Sequence, residues 1–308
     1  MLQDNSNAVP RAHPVLLAGA GVLFASVCFG LVPLFTRNLT EQGMAPHAVA
    51  FYRYILAAVI LFPVLVRQRR HWRELLWGVV AGMVMGVGWV GYVQALETVP
   101  VSTVGVLYMT YPVFTVAIAW IMFGDAPTRR ALVAALLIIA AAVIAGSPAA
   151  LGPDQVPALV VSLAAPFGFG FGICVLVHRL SRIVPLARIG SVSLGSLVGL
   201  VPLMLGSDAT ELLPQDRSGW YLIGGISIAT AFVPQLIYSI CSPIVGTART
   251  AILGSIELPT MFAVAVLAFG QPITPAQAIA CILVLSAILL PRSRVTRNVT
   301  SSMTQGRR

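Results

Sequence analysis

Charge is the property that this sequence lacks most. Only 9% of its 308 residues are charged, whereas a soluble domain carries about 25%. A soluble globule of this size is excluded, because so few charged groups cannot cover its surface. Lysine is absent, so that all 19 basic residues are arginine. These arginines lie in short gaps between apolar runs, which indicates membrane-topology signals rather than the basic face of a nucleic-acid-binding protein.

Cysteine is also scarce, and its placement argues against the chemistry that clustered cysteines support. No C-x-x-C pair occurs, and the four cysteines lie within or beside apolar runs: Cys28, Cys174, Cys241 and Cys281. We therefore expect no disulfide, no metal site and no cofactor. We also expect no cleavable signal peptide, because the first apolar run follows a polar start and is too long.

Long apolar runs dominate the chain instead. A helix needs about 20 apolar residues to cross the hydrocarbon core, and a membrane β-barrel would show alternating segments of about ten residues. The runs predict an all-α polytopic membrane protein with ten transmembrane helices. These spans cover residues 16–36, 46–66, 75–96, 101–123, 131–147, 156–177, 189–205, 220–240, 247–269 and 276–291.

The arginines predict the orientation of these spans. With the N-terminus in the cytoplasm, 16 arginines fall in cytoplasmic segments and only Arg37 and Arg217 fall outside. This bias follows the positive-inside rule and places both termini in the cytoplasm, as an N-terminal segment (1–15) and an Arg-rich tail (292–308). The absence of lysine and the abundance of alanine favour a GC-rich bacterial genome, and hence the bacterial inner membrane.

Two pairs of spans resemble each other within the chain. Spans four and nine each contain a proline, then an apolar half-helix, then Gly and a polar residue: Pro112 with Gly124–Asp125, and Pro259 with Gly270–Gln271. Spans one and six each carry Phe-Gly, six residues and then Arg: Phe29–Gly30 with Arg37, and Phe171–Gly172 with Arg179. Chance recurrence of Gly and Pro is the alternative to a true repeat.

A true repeat would divide the chain into two five-helix halves, residues 16–147 and 156–291. Five is odd, so the halves would lie antiparallel in the membrane. Inverted repeats of this kind are typical of secondary transporters, which place the substrate near the midplane between the repeats.

On these motifs the sequence resembles the EamA-type transporters of the drug/metabolite transporter superfamily, from about residue 16 to 291. It differs at Gly270–Gln271, where the family usually has Gly-Glu. The resemblance implies ten helices around a central cavity, with spans five and ten as outer scaffold. It also implies transport of amino acids, nucleotide derivatives or other small metabolites, often outward.

Two ionisable residues lie deep within the predicted spans, where each costs about 2.5–3.5 kcal/mol on insertion scales. Glu257 in span nine is either a site for a substrate amine or a proton, or a structural acid bonded to a neighbouring helix. Arg53 in span two either binds a substrate carboxylate, pairs with Glu257, or donates to the carbonyls of a broken helix.

Polar and aromatic residues three positions apart predict the rest of the cavity wall, because such residues share a helix face. They are Trp89 and Tyr92 in span three, Tyr108 and Tyr111 in span four, and Gln235 and Tyr238 in span eight. The alternative for each tyrosine is a hydroxyl bonded to a nearby carbonyl. Pro112 and Pro259 are predicted hinges. Glycines at every fourth residue in spans three and seven predict close helix packing.

The sequence therefore predicts a secondary transporter, an exporter of small organic metabolites such as amino acids. Its expected partners are a small-molecule substrate, the lipid bilayer and a proton, but no nucleic acid, in a monomer or a homodimer. An intramembrane enzyme is the alternative class, and a non-transporting membrane protein is another. We expect no enzyme, because the four histidines lie at loops or span ends and Glu257 has no predicted catalytic partner.

Overall fold

The computed structural model describes residues 13–146 and 155–289, and these residues form helices and no strands. The helices are α1 (His13–Gly30), α2 (Val32–Glu41), α3 (Pro46–Arg67), α4 (Trp72–Thr98), α5 (Val101–Tyr108), α6 (Tyr111–Phe123), α7 (Arg129–Gly146), α8 (Gln155–Ser162), α9 (Ala164–His178), α10 (Pro185–Met204), α11 (Ala209–Leu212), α12 (Arg217–Ser227), α13 (Val233–Val245), α14 (Thr247–Gly254), α15 (Glu257–Phe269) and α16 (Pro275–Leu289). A π-helical segment (Ile228–Phe232) joins α12 to α13.

Eight helical segments in this part of the chain are long and apolar enough to cross a membrane, and they correspond to spans one to four and six to nine. Two further helices, α7 with 18 residues and α16 with 15, lie where spans five and ten were predicted. These two helices pack against each other. The all-helical, polytopic fold class is confirmed. The cytoplasmic segments predicted at residues 1–15 and 292–308 lie almost wholly outside the described residues.

Four of the spans are interrupted a few residues before a proline. A proline ring clashes with the carbonyl four residues earlier and offers no N–H, so the helix gives way on its N-terminal side. The interruptions lie at Leu31 in span one, Met109–Thr110 in span four, Leu163 in span six and Ser255–Ile256 in span nine. The predicted hinge prolines Pro112 and Pro259 therefore lie just inside the second half-helix of their spans, while the breaks themselves precede them.

Spans four and nine have the same local structure. Each ends at a glycine in the left-handed region, Gly124 at φ 74° and Gly270 at φ 60°. The next residue, Asp125 or Gln271, donates its backbone N–H to a carbonyl six residues earlier, at 3.0 and 2.9 Å respectively. The break ends two residues before Pro112 in span four and three residues before Pro259 in span nine. The predicted resemblance of these two spans thus extends to their backbone geometry.

Spans three and seven pack backbone to backbone. A Cβ atom at Gly82 would collide with the carbonyl oxygen of Val192, and one at Gly195 would collide with that of Val79. The hydroxyl of Ser196 donates to the carbonyl of Gly82 at 2.9 Å. Only small residues permit this approach, which is how membrane helices gain contact area without a hydrophobic driving force between them.

Candidate functional site

A cavity lies at the centre of the helical bundle, with about 740 Å³ of space between its atoms, including the part that is open to the outside. Spans one to four and six to nine all contribute to its wall. The lining is mostly apolar and aromatic, with Arg53, Arg188, Gln235, Ser239 and Glu257 as its main polar members.

Arg53 lies on this wall with part of its guanidinium unused. The side chain is 3% exposed. Its Nη2 donates to the carbonyl of Thr230 at 3.0 Å, in the π-helical segment of span eight. Its Cζ lies 3.9 Å from the centre of the Trp89 ring. Within the described residues, Nε and Nη1 have no hydrogen-bond partner, so these donors remain for a ligand or water.

Glu257 is the first residue of α15, immediately after the break in span nine. It is 1% exposed, and neither carboxylate oxygen has a hydrogen-bond partner among the residues that the structure describes. Its position at a helix N-terminus favours negative charge through the helix dipole. Glu257 and Arg53 do not form an ion pair. Within the described ranges, Arg37 forms an ion pair with Glu41, and Nε2 of His178 lies 3.0 Å from Oδ2 of Asp125.

Aromatic rings form a nearly continuous surface on the wall that carries these two residues. Their centroids are 4.8 Å apart for Trp89–Tyr92, 5.4 Å for Tyr92–Tyr108, 5.8 Å for Tyr108–Phe169 and 6.0 Å for Phe169–Tyr238. In the described part of the chain, the hydroxyls of Tyr54, Tyr92 and Tyr238 are buried without a partner. The wall can therefore accept an apolar or aromatic body and still offer polar groups at its edges.

The structure brings seven of the eight predicted binding residues onto one wall: Arg53, Trp89, Tyr92, Tyr108, Gln235, Tyr238 and Glu257. Tyr111 is the exception. It is fully buried behind the wall, and its hydroxyl donates to the carbonyl of Ala251 at 3.2 Å. This is the structural role that the sequence left open as the alternative for each tyrosine.

Arg188 is a wall residue that the sequence reasoning missed. Span seven was predicted to begin at residue 189, with Arg188 outside it as a topology signal. The helix instead begins at Pro185. Arg188 is 8% exposed and donates to the carbonyls of Ser181, Ile183 and Ser239. Pro185 was the available signal, because proline is favoured in the first turn of a helix.

Phe29, Tyr54, Met85 and Phe169 also line the cavity without having been predicted. Apolar side chains in apolar spans give no sequence signal that separates a cavity wall from a lipid-facing or packed surface. Tyr54 adjoins Arg53 in the chain, on the neighbouring face of the same helix. It was the one member of this group with a polar atom that could have marked it.

Residues 16–147 match the model of the EamA-like transporter family. None of the curated proteins compared with this chain matches it significantly. A protein of known crystal structure, described only as "Crystal structure of protein", has the same fold with a TM-score of 0.70. The two sequences are 15% identical, and the match covers 89% of this chain and 96% of the other.

Proposed function

We propose a finer function for this chain than its family alone gives. Residues 16–147 belong to the EamA-like transporter family. The chain is therefore an EamA-type membrane transporter of the drug/metabolite transporter superfamily. It is a secondary transporter that exports small organic metabolites, such as amino acids or related compounds. It works by alternating access in the bacterial inner membrane, and it has no enzymatic role.

The observation that carries this proposal is the pair of buried charges in one cavity. Arg53 and Glu257 are each almost completely buried, yet in the described residues they form no ion pair, and both have polar atoms without a hydrogen-bond partner. Buried charge without a partner is costly in a membrane span, at about 2.5–3.5 kcal/mol each on insertion scales. A ligand that carries both an anionic and a cationic group would satisfy both residues at once.

The chemistry of the two residues assigns the ends of such a ligand. Within the described residues, Nε and Nη1 of Arg53 have no hydrogen-bond partner, and each of them shares an edge of the guanidinium with Nη2. One of them, together with the second N–H of Nη2, would hold a carboxylate through two parallel hydrogen bonds. Glu257 would accept from the ammonium group. Trp89, Tyr92, Tyr108 and Tyr238 would contact the body of the ligand, with Gln235 as a further hydrogen-bonding group.

Glu257 would also couple transport to protons. An ionised carboxylate in an apolar cavity is disfavoured without a cationic partner. After the substrate leaves, Glu257 would take up a proton and release it when the next ammonium group arrives. A proton moving inward would then drive the metabolite outward, since the chain has no P-loop motif for nucleotide hydrolysis.

The orientation follows from the arginine distribution, with both termini in the cytoplasm. The halves 16–147 and 156–291 form the inverted repeat, joined around the cavity, and the breaks beside Pro112 and Pro259 act as its hinges. Flexible half-helices at matched places suit a bundle that opens first to one side and then to the other.

Uptake into proteoliposomes tests this function. The purified full-length protein is incubated with a pool of metabolites that contains amino acids, matched monoacids lacking the amine and matched amines lacking the carboxylate. We expect accumulation of zwitterions, and stronger accumulation with a proton gradient of the correct sign. Uptake confined to the monofunctional analogues would contradict the assignment of Arg53 and Glu257. Reporter fusions that place the termini outside would contradict the orientation.

A further inference from the structure

The first half-helix of span nine, α14, carries hydroxyl groups along its buried side. Thr247 and Thr250 are three residues apart and therefore share a face of this helix. Ser255 follows at the break and is fully buried, as is Thr250. These three residues form a hydroxyl row that leads from Asp125, which Thr247 contacts, towards Glu257, where α15 begins.

Neighbouring spans contact the hydroxyl row at two levels. In α14, Oγ1 of Thr250 donates to the carbonyl of Ser242 in span eight at 3.5 Å. At the break, the hydroxyls of Ser255 and of Tyr111 in span four donate to one carbonyl, that of Ala251, at 3.3 and 3.2 Å. Two hydroxyls that share an acceptor lie side by side, so polar oxygen atoms continue through the break.

Two further hydroxyls beside the row have unused hydrogen-bonding capacity. Oγ of Ser26 in span one and Oγ of Ser242 in span eight are fully buried, and within the described residues neither has a partner. A Cβ at Gly254 would collide with the hydroxyl of Tyr111 and would lie 3.6 Å from Oγ of Ser26, which places Ser26 beside the break. Internal water molecules bind to buried polar groups of this kind.

Asp125 and His178 lie at the other end of the row. Oδ2 of Asp125 accepts from Oγ1 of Thr247 at 3.4 Å and lies 3.0 Å from Nε2 of His178. The side chain of Asp125 is 49% exposed and that of His178 is 22% exposed, so this pair can exchange protons with the surrounding water. On the orientation proposed above, this end of the protein faces the cytoplasm.

The hydroxyl row is separate from the substrate cavity. Glu257 lines the cavity, whereas Thr247, Thr250 and Ser255 are not among the described residues of its wall. Ser26 and Ser242 are not among them either. Glu257 therefore has the cavity on one side and the end of the row on the other.

Ionisable side chains around Glu257 show the same division. In the described part of the chain they come from spans two, three, four and eight, and they are Arg53, Tyr92, Tyr108, Tyr111 and Tyr238. All except Tyr111 line the cavity. Tyr111 alone among them lies beside the hydroxyl row.

The direction of proton movement gives a reason for a second route. In the proposed cycle, Glu257 releases its proton when the ammonium group of a substrate arrives from the cytoplasm. A proton that left through the cavity would have to pass the incoming substrate. A route behind the cavity wall would let the substrate enter and the proton leave on the same side of the membrane.

We propose that the hydroxyl row, together with Ser26, Ser242 and internal water, is the route by which protons pass between Glu257 and the Asp125–His178 pair. This inference rests on the proposed function, because it takes Glu257 as the proton site. A hydroxyl group donates one hydrogen bond and accepts others, so each group can receive a proton from one neighbour and pass its own to the next. The net result is that Glu257 becomes a carboxylate and one proton arrives at Asp125 or His178.

Infrared spectroscopy of the full-length protein in lipid tests this route without a substrate. The carboxylic-acid band that is present in the parent protein and absent from Glu257→Gln reports the protonated form of Glu257. After rapid mixing with D2O, the rate at which this band shifts measures proton exchange at that carboxyl group. The two test variants are Thr250→Val and Thr247→Val, which remove a hydroxyl and keep the shape of the side chain.

Two further variants serve as controls. Thr260→Val lies in the same span on the other side of Glu257, where the hydroxyl of Thr260 donates to the carbonyl of Ile256 at 3.1 Å. Thr250→Ser keeps the hydroxyl and loses only a methyl group. A change in packing alone would therefore affect the controls as well as the test variants.

We expect exchange at Glu257 to slow by about tenfold in both test variants, which corresponds to about 1.4 kcal/mol in the barrier, and to keep the parent rate in both controls. The parent rate in Thr250→Val would overturn the route, because protons would then reach Glu257 through the cavity. Equal slowing in Thr260→Val or Thr250→Ser would overturn it too. A parent protein without a Glu257 band at any pH would contradict the proton site of the proposed function, whereas a band with unchanged rates contradicts the route alone.

Discussion

The guanidinium of Arg53 lies over the ring of Trp89, with Cζ 3.9 Å from the centre of the indole ring. This contact joins span two to span three across the cavity, and the bond from Nη2 to the carbonyl of Thr230 adds span eight. A side chain held from two sides has lost most of its rotamer freedom before a ligand arrives. Preorganisation of this kind lowers the cost of binding.

Replacement of Arg53 by Lys should weaken binding of carboxylate-bearing substrates by about ten- to a hundredfold, since a charged hydrogen bond contributes about 1.5–3 kcal/mol. Lysine retains the charge but has no planar fork and stacks poorly on Trp89. Ligand-induced shifts in melting temperature measure the affinity. Arg73→Lys is the matched control, because Arg73 lies over Trp72 in a similar cation–π contact outside the cavity. An Arg53→Lys variant with unchanged affinity would remove the carboxylate site.

Glu257→Gln keeps the shape of the side chain but removes the charge and the exchangeable proton. We expect this variant to lose the acceleration of uptake by a proton gradient and to lose its preference for zwitterions over matched monoacids. Glu97→Gln, at the exposed end of span three, should behave as the parent protein does. Full gradient-driven uptake by Glu257→Gln would eliminate Glu257 as the proton site.

The same substitution at two buried tyrosines should have opposite consequences. Tyr111→Phe removes the hydrogen bond to Ala251 and should lower the free energy of unfolding by about 0.5–1.5 kcal/mol, with little effect on ligand affinity. Tyr238→Phe removes a hydroxyl without a partner in the described residues and should spare stability while altering affinity. Thermal unfolding with and without ligand measures both quantities. A stability loss confined to Tyr238→Phe would contradict this assignment.

Gly82→Ala should destabilise the contact between spans three and seven by about 1–3 kcal/mol, because the added methyl group meets the backbone of Val192, which cannot move aside. Gly224→Ala is the control. A Cβ at Gly224 has no neighbour within 4 Å, and the alanine should leave stability unchanged or raise it by about 0.4–1 kcal/mol. Thermal unfolding in lipid nanodiscs compares the two, and equal melting temperatures would contradict backbone packing.

Asp216 caps helix α12 outside the membrane, where Oδ1 accepts from the backbone N–H of Gly219 at 2.9 Å and the hydroxyl of Ser218 at 2.8 Å. These bonds, chiefly that from Gly219, hold the pKa of the carboxyl below its usual value. Its stabilising contribution is therefore complete above the ordinary carboxyl pKa and is lost as the pH falls through the lowered pKa.

Asp216→Ala should accordingly lower the melting temperature at neutral pH, and the difference from the parent protein should shrink as the solution is acidified. Asp208→Ala is the matched control, since Asp208 precedes α11 without a side-chain capping bond. A melting-temperature difference that is constant with pH would show that the charge of Asp216 has no part in the cap.

Local features of the sequence determined the spans, the helix breaks and the end caps of this protein. Apolar run length, proline and a glycine at positive φ act on the chain within a few residues, so Pro112 and Gly124 could be interpreted without knowledge of any partner. Seven of the wall residues were identified in the same way, because a polar group in an apolar span has few uses other than a site or a bond to another helix.

Only the tertiary structure decided which of these groups meet. Whether Arg53 pairs with Glu257 or stacks on Trp89 depends on how far helices that are distant in sequence approach each other. The role of Tyr111 depended on the carbonyl of Ala251, which is 140 residues away in the sequence. The place of Arg188 on the cavity wall depended on the residue at which its helix begins. Span one packs on the second half of the chain and span six on the first half, and glycine contacts between the halves set this packing as well. Hydropathy records only that a helix is buried in an apolar medium, and it carries no information about which helix covers it.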